Sequence, residues 1–247
     1  MAQPFAVDVS EEALADLTAR LALSRLPDVG PAGEEWTMGT PKAVVEQLLA
    51  HWKQGYDWRA AEAALNLMPQ FTMDVPTTTA YTDGEPMNVH FVHKRGASDD
   101  AVPLLLLHGW PGSFWEFEKV LEPLTGGIGH PGSGLTQSFH VVAPSLPGYT
   151  FSEAPRTMGF DVAAMGRLFD SLMHELGYHE YVVQGGDWGA VIAKGMGVTC
   201  ADSGCKAVHV NVSAVQPLPL RVLGRSLRSG CTDAHRPRAP RHRAERR

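Results

Sequence analysis

Apolar positions in the first seventy residues recur with helical spacing. Leu14, Leu17 and Leu21 form a stripe that stops before Pro27, with Ser10 as N-cap and Glu11 and Glu12 in the first turn. Thr40-Pro41 predicts a second helix with proline at its first position, carrying Val44, Val45, Leu48, Leu49 and Trp52 and closed by Gly55. Asp57 caps a third, from Trp58 to about Leu65. The leucine and aromatic positions of these helices read as packing residues, and 28–39 as a Pro/Gly-containing loop. From Phe71 the period drops to two. Met87, Val89, Phe91 and His93 alternate with Asn88, His90, Val92 and Lys94, and Asp83-Gly84 is a turn signal. The expectation is a half-exposed strand in a β-hairpin that precedes the main sheet.

Beyond residue 100 the pattern changes again. Val102 to Leu107 is a continuous apolar run of the kind that makes a buried parallel strand. A helix is predicted from Phe114 to Leu124 with Trp115, Val120 and Leu121 inward, then a strand at Phe139–Ala143 broken sharply by Pro144-Ser-Leu-Pro-Gly148. Asp161 caps a helix through Met165, Leu168, Phe169 and Leu172 that ends at Gly177. A strand at Tyr181–Gln184, a helix from Ala190 and a strand at Lys206–Asn211 complete the alternation. This is an α/β protein: a mostly parallel, doubly wound sheet with flanking helices, preceded by a helical N-terminal extension. The divisions expected are 1–95 for the extension, 96–212 for the core and 213–247 for a separate tail.

Composition narrows the function classes. Of 247 residues 44% are hydrophobic and 19% charged, which suits one large domain or a domain plus extension. Three cysteines cannot build a disulfide framework, and the Cys200/Cys205 spacing matches no usual zinc pattern. With no signal peptide and no membrane-length apolar run, a cytoplasmic enzyme is expected. The net charge of −6 is split: residues 221–247 carry nine Arg, no Lys and only Asp233 and Glu245, so the remainder is strongly acidic. An acidic body argues against nucleic-acid binding, although a basic tail could engage an acidic partner.

The sharpest chemistry lies at Tyr181-Val-Val-Gln-Gly-Gly-Asp-Trp-Gly-Ala190. A strand, a tight turn and a helix, with Gly185, Gly186 and Gly189 around Asp187, have the layout of a nucleophile elbow with Asp in the place of Ser. A carboxylate at such a tip can attack carbon directly, with no base to deprotonate it first. The alternative is a Gly-rich turn whose Asp caps the following helix. No Gly-x-Ser-x-Gly occurs. The strand ending at Leu107 runs into His108-Gly-Trp-Pro-Gly-Ser113, where the backbone N–H of Trp110 points to an oxyanion hole shared with the N–H of Trp188. His108 reads as a buried imidazole bonded to the turn backbone, with Gly109 and Pro111 as turn supports. Gly127, Gly129 and Gly132 match Gly-x-Gly-x-x-Gly but follow no strand and open no helix, so they read as a flexible loop. His90 and His93 lie on opposite strand faces with no further ligand at zinc spacing, so no metal is expected.

Taken together, residues 1 to about 211 resemble epoxide hydrolases of the microsomal and juvenile-hormone type. The resemblance rests on Pro4-Phe5, the Leu14–Pro27 helix, Tyr56-Asp57-Trp58-Arg59, Val89-His-Phe-Val-His93, His108-Gly-Trp-Pro-Gly-Ser113, Pro147-Gly-Tyr149 and Gly185-Gly-Asp-Trp-Gly189. It implies an α/β-hydrolase fold and Asp187 as nucleophile on an epoxide carbon. It further implies an oxyanion hole from the Trp110 and Trp188 N–H groups and a cis peptide at Trp110-Pro111. The substrates implied are a small apolar epoxide and water, with no cofactor. A haloalkane dehalogenase-like enzyme would use the same Asp, although the extension speaks against it. A non-catalytic fragment or binding module is the third reading.

The resemblance stops near residue 212. Family members continue through a helical cap with proton-donating tyrosines, then an Asp or Glu and a His that activates water. Here an Arg/Pro/Ala/His-rich stretch follows, and neither His235 nor His242 is preceded by a strand, so the base is not carried over to them. This predicts a disordered basic tail arising from a frame-shifted or truncated gene, and an incomplete hydrolase. Translation of the other frames downstream of residue 212 tests that expectation.

Overall fold

The computed structural model describes residues 1–28, 36–77, 85–129 and 136–212. The predicted turn at Asp83-Gly84, the third glycine of the Gly-x-Gly-x-x-Gly match and the basic tail lie outside the described residues.

Residues 1–212 form one compact unit. Strand β1 (Gln3–Phe5) leads into α1 (Glu11–Ala22), where Ser10 accepts from the Ala13 N–H as the cap expected there. Helix α2 is Lys42–Gln54. Pro41 is its N-cap, one position earlier than predicted, because its ψ of 144° is extended and leaves the first helical turn to begin at Lys42. Asp57 caps α3 (Trp58–Leu65) through the Ala60 N–H. Leu48 and Trp52 are 63% and 50% exposed, so these two do not pack as expected. Trp52 instead lines an open cleft with Leu14, Leu17 and Leu21.

Two polar side chains, of Asn66 and Glu62, tie the first segment down. Asn66 accepts from the Val7 N–H at 2.8 Å and donates to its carbonyl at 2.9 Å. Glu62, buried in α3, accepts from the Val9 N–H at 2.8 Å and from the Trp58 indole at 3.1 Å.

Strands β2 (Gln70–Val75) and β3 (Met87–Lys94) form the antiparallel hairpin, and β4 is Val102–Leu107. A 3-10 turn at Phe114–Phe117 opens into α4 (Glu118–Gly126). The two-residue strands β5 (Ile128–Gly129) and β6 (Thr136–Gln137) pair with each other. Strand β7 (Phe139–Pro144), α5 (Val162–Glu175), β8 (Tyr181–Gly185), α6 (Trp188–Thr199) and β9 (Cys205–Val210) complete the order.

Seven strands make one sheet in the order β1-β2-β3-β7-β4-β8-β9. Pairing is antiparallel from β1 to β7 and parallel from β7 to β9. The hairpin therefore belongs to the main sheet. Its strand β3 is not half-exposed: lying between β2 and β7, it is buried on both faces. Met87, Val89 and Phe91 join Leu105, Leu107, Phe169 and Ile192, while Val92 joins Leu104, Leu106 and Phe114 on the opposite face.

The predicted helix at 114–124 also differs. Its 3-10 start has about three residues per turn, which rephases the apolar face onto Phe114, Phe117 and Leu121. Trp115 and Val120, expected inward, are 38% and 43% exposed.

The chain leaves β4 to one side to form β7, then crosses to form β8 on the other side. A cleft at the carboxyl ends of β4 and β8 follows from this reversal, since the two connections diverge there.

Candidate active site

Two loops meet at that reversal. After β8, Gly186 leads to Asp187, which has φ 50° and ψ −122°, a conformation rarely adopted by residues with a side chain. Close packing of strand on helix forces it. A Cβ on Gly189 would lie 2.1 Å from the Leu107 carbonyl oxygen, and one on Gly185 would lie 2.1 Å from the Gly189 carbonyl oxygen. Gly186 faces the Asn211 side chain, so a Cβ there would be 2.9 Å from Asn211 Oδ1.

The Asp187 side chain makes no helix-cap bond, which removes the capping alternative. It turns instead toward the loop after β4. The Trp110 N–H donates to Asp187 Oδ1 at 2.8 Å, and the Trp188 N–H donates to the same carboxylate. These two donors hold the Asp187 carboxyl below the usual carboxylate range, so it is ionised at neutral pH. Gly109 makes the approach possible, because a Cβ there would lie 2.4 Å from Asp187 Cβ. The Trp110-Pro111 peptide is cis, as the resemblance implied.

His108 is fully buried and spends both nitrogens on backbone. Its Nε2 accepts from the Leu146 N–H at 3.0 Å, which requires Nδ1 to carry the proton donated to the Gly109 carbonyl at 3.0 Å. Burial lowers its pKa and keeps it neutral. The imidazole thus ties β4 to the loop after β7, and it does not hydrogen-bond Asp187.

Two nearby residues, Glu116 and Thr150, had no signal in the sequence. Glu116 has its pKa raised, first by desolvation and then by the Asp187 charge. Trp110, Pro111 and Gly112 line one side of an open cleft of about 430 Å3, and Gly148, Tyr149 and Thr150 line the other. Tyr149 meets the His108 ring edge-to-face at 5.3 Å. A wider groove of about 710 Å3 runs along the sheet face beside α4. Leu104, Leu106, Val182 and Val208 line it together with Glu116, Gly186 and Asn211. The small cleft is walled by Trp110, whose N–H holds the Asp187 carboxylate, and the wider groove reaches Gly186 beside it. Among the described residues, no group of three or more His, Cys, Asp or Glu is placed to hold a metal, and no helix is long and apolar enough to cross a membrane.

Comparison with known proteins agrees with the geometry. The family profile described as the epoxide hydrolase N terminus matches residues 2–117, and the alpha/beta hydrolase fold matches 102–194. The chain belongs to the epoxide hydrolase family. It is 35% identical over 221 residues to epoxide hydrolase 1 of Sus scrofa, covering 86% of this chain and 45% of that protein. The structure of the Aspergillus niger epoxide hydrolase superposes with a TM-score of 0.72 at 35% identity, covering 89% of this chain and 54% of that one. The juvenile hormone epoxide hydrolase of the silkworm Bombyx mori gives 0.72 at 31%, covering 86% and 53%. The chain thus spans about half the length of the epoxide hydrolases it matches.

Proposed function

We propose that the chain carries the alkylation half of an epoxide hydrolase, with Asp187 as nucleophile. The supporting observation is the ionised, exposed Asp187 carboxylate, pinned through Oδ1 by the N–H of Trp110, a residue of the cleft wall. The second carboxylate oxygen attacks a ring carbon of an apolar epoxide. A C–O bond to Asp187 forms, the ring C–O bond breaks, and the released alkoxide takes a proton from water. In ester hydrolysis the Trp110 and Trp188 N–H groups face the oxygen on which negative charge develops. Water then enters at the ester carbonyl and a vicinal diol leaves.

That second step needs a base. Among the described residues, none hydrogen-bonds Asp187 from a histidine or a second carboxylate, and His108 is committed to backbone. General-base activation contributes roughly 10²–10⁴-fold, so the ester is expected to accumulate. Displacement of a halide would use the same carboxylate, but the match of residues 2–117 to the epoxide hydrolase N terminus favours the epoxide.

Intact mass after incubation with excess styrene oxide tests this reading. The expected result is a gain of one epoxide, absent in Asp187→Ala. A folded chain with no gain, or an equal gain in Asp187→Ala, overturns it.

A further inference from the structure

The far lip of the cleft is held by an arrangement that the alkylation reaction does not use. Thr150 has φ 46°, and besides Asp187 it is the other non-glycine residue with positive φ among the described residues. For a β-branched residue this conformation is costly and persists only where the surroundings over-determine it. The determinant is a buried chain of side chains. Thr150 Oγ1 lies 2.5 Å from Ser145 Oγ, which lies 2.9 Å from His90 Nδ1. His90 Nε2 lies 3.1 Å from Gln70 Oε1, and Gln70 Nε2 donates to the Leu65 carbonyl at 2.8 Å.

The proton direction of the chain can be worked out from one end. Gln70 spends its amide N–H on Leu65, so its oxygen is the acceptor and His90 Nε2 must carry a proton. In the neutral ring Nδ1 is then the acceptor, and Ser145 donates to it. Ser145 has one hydroxyl proton, so Thr150 must donate to Ser145. Each hydroxyl has one available role, which fixes the Thr150 side chain as well as its backbone.

Ring contacts fix the hub. Phe5 of β1, Phe114 after the Trp110 loop and Phe151 after Thr150 all pack edge-on against the His90 ring, at 4.9, 4.8 and 5.2 Å. His90 and Ser145 are fully buried and Gln70 is nearly so. Thr150 is exposed on its cleft side, where it lines the space opposite Trp110.

We propose that Gln70, His90 and Ser145 are positioning residues that hold Thr150, and that Thr150 determines which epoxide substituents fit beside Asp187. Strands β2 and β3 thereby set substrate selectivity through the loop that follows β7. This rests on the reading of Asp187 as nucleophile.

The test measures the rate of adduct formation on Asp187 with a small epoxide, propylene oxide, and a bulky one, trans-stilbene oxide, each over a range of concentrations. Thr150→Val keeps the shape and removes the donor. Thr150→Ser keeps the donor. The Val variant is expected to change the ratio of the two rates roughly fivefold or more, through half-saturating concentration rather than limiting rate, about what one hydrogen bond is worth. Thr150→Ser restores the parental ratio, and Ser145→Ala behaves like Thr150→Val. Equal ratios in the parent and Thr150→Val overturn the inference while leaving Asp187 as nucleophile. So does a Thr150→Ser variant that tracks Val. No adduct on the parent chain with either epoxide overturns both readings.

Discussion

The two lips of the cleft reach the same unusual backbone conformation by opposite means. Asp187 is held by backbone against backbone: Gly189 under the Leu107 carbonyl, and Gly185 against Gly189. Its side chain takes no part in that packing and is left for chemistry. Thr150 is held by its side chain, through Ser145, His90 and Gln70, and no glycine packs at its own position. A reactive residue cannot be its own anchor, whereas a wall residue can. The lip that must present a free carboxylate is therefore built on glycines, and the lip that shapes the pocket is built on a hydrogen-bonded chain from β2 and β3.

The largest expected effect strikes the first lip. Gly189→Ala places a methyl 2.1 Å from the Leu107 oxygen, and neither neighbour is a flexible side-chain tip that could swing away. Strand β4 and helix α6 must separate, at a cost of about 3 kcal/mol or more. Urea unfolding followed by far-UV circular dichroism should show a much lower midpoint. An unchanged midpoint would mean that close packing does not impose the strain on Asp187.

Acid should act on the second lip before the first. Burial lowers the His90 pKa from 6.5 to about 4. His93 is lowered to about 4 as well, by burial first and then by the charges of Arg95 and His140. The unfolded chain binds protons at these rings near pH 6.5 and the folded chain only near 4. Their contribution is therefore complete above about pH 6.5 and is lost as the pH falls toward 4, by up to about 3 kcal/mol for each ring. Unfolding free energy at pH 7.5 and 4.5 measures the loss, and His90→Gln should show less of it. Over the same range Asp187, whose carboxyl is held low by two N–H donors, stays ionised. Selectivity between small and bulky epoxides should accordingly fail at a higher pH than adduct formation itself.

The same contrast explains what was legible in the sequence. Close approach of strand and helix demands glycines at fixed offsets, so the Asp187 turn can be read locally, as can the caps at Ser10, Asp57 and Asp161. The chain that holds Thr150 joins residues 20 and 55 positions apart in sequence, and no local pattern marks Ser145 or Gln70 as its members. His90 is legible as a strand residue, as a metal ligand set aside, and as part of the Val89–His93 motif, but not as the hub of this chain. Its neighbours could be known only once β3 was placed between β2 and β7, and that placement also buries a strand whose alternation suggested a half-exposed one. Trp115 and Val120 were misplaced for a related reason: a 3-10 turn shifts the phase of the helix that follows, and the period of the apolar residues does not reveal it.

A pair of glycine substitutions gives the smallest effect and the cleanest comparison. Glycine relieves left-handed strain, a matter of about 1–3 kcal/mol at such sites, and costs about 0.5–1 kcal/mol in unfolded-state entropy. At Asp187 the bonds from the Trp110 and Trp188 N–H groups are lost as well, but the site is exposed and water takes the place of the carboxylate at both donors. Asp187→Gly should stabilise the chain by about 1 kcal/mol while abolishing the adduct. At Thr150 the same relief is offset by loss of the hydroxyl that Ser145 accepts from, worth about 1 kcal/mol. Thr150→Gly should therefore leave the unfolding midpoint nearly where it is. If Thr150→Gly stabilised as much as Asp187→Gly, the hydrogen-bonded chain would contribute nothing to holding its lip, and the two sides of the cleft would be strained for the same reason.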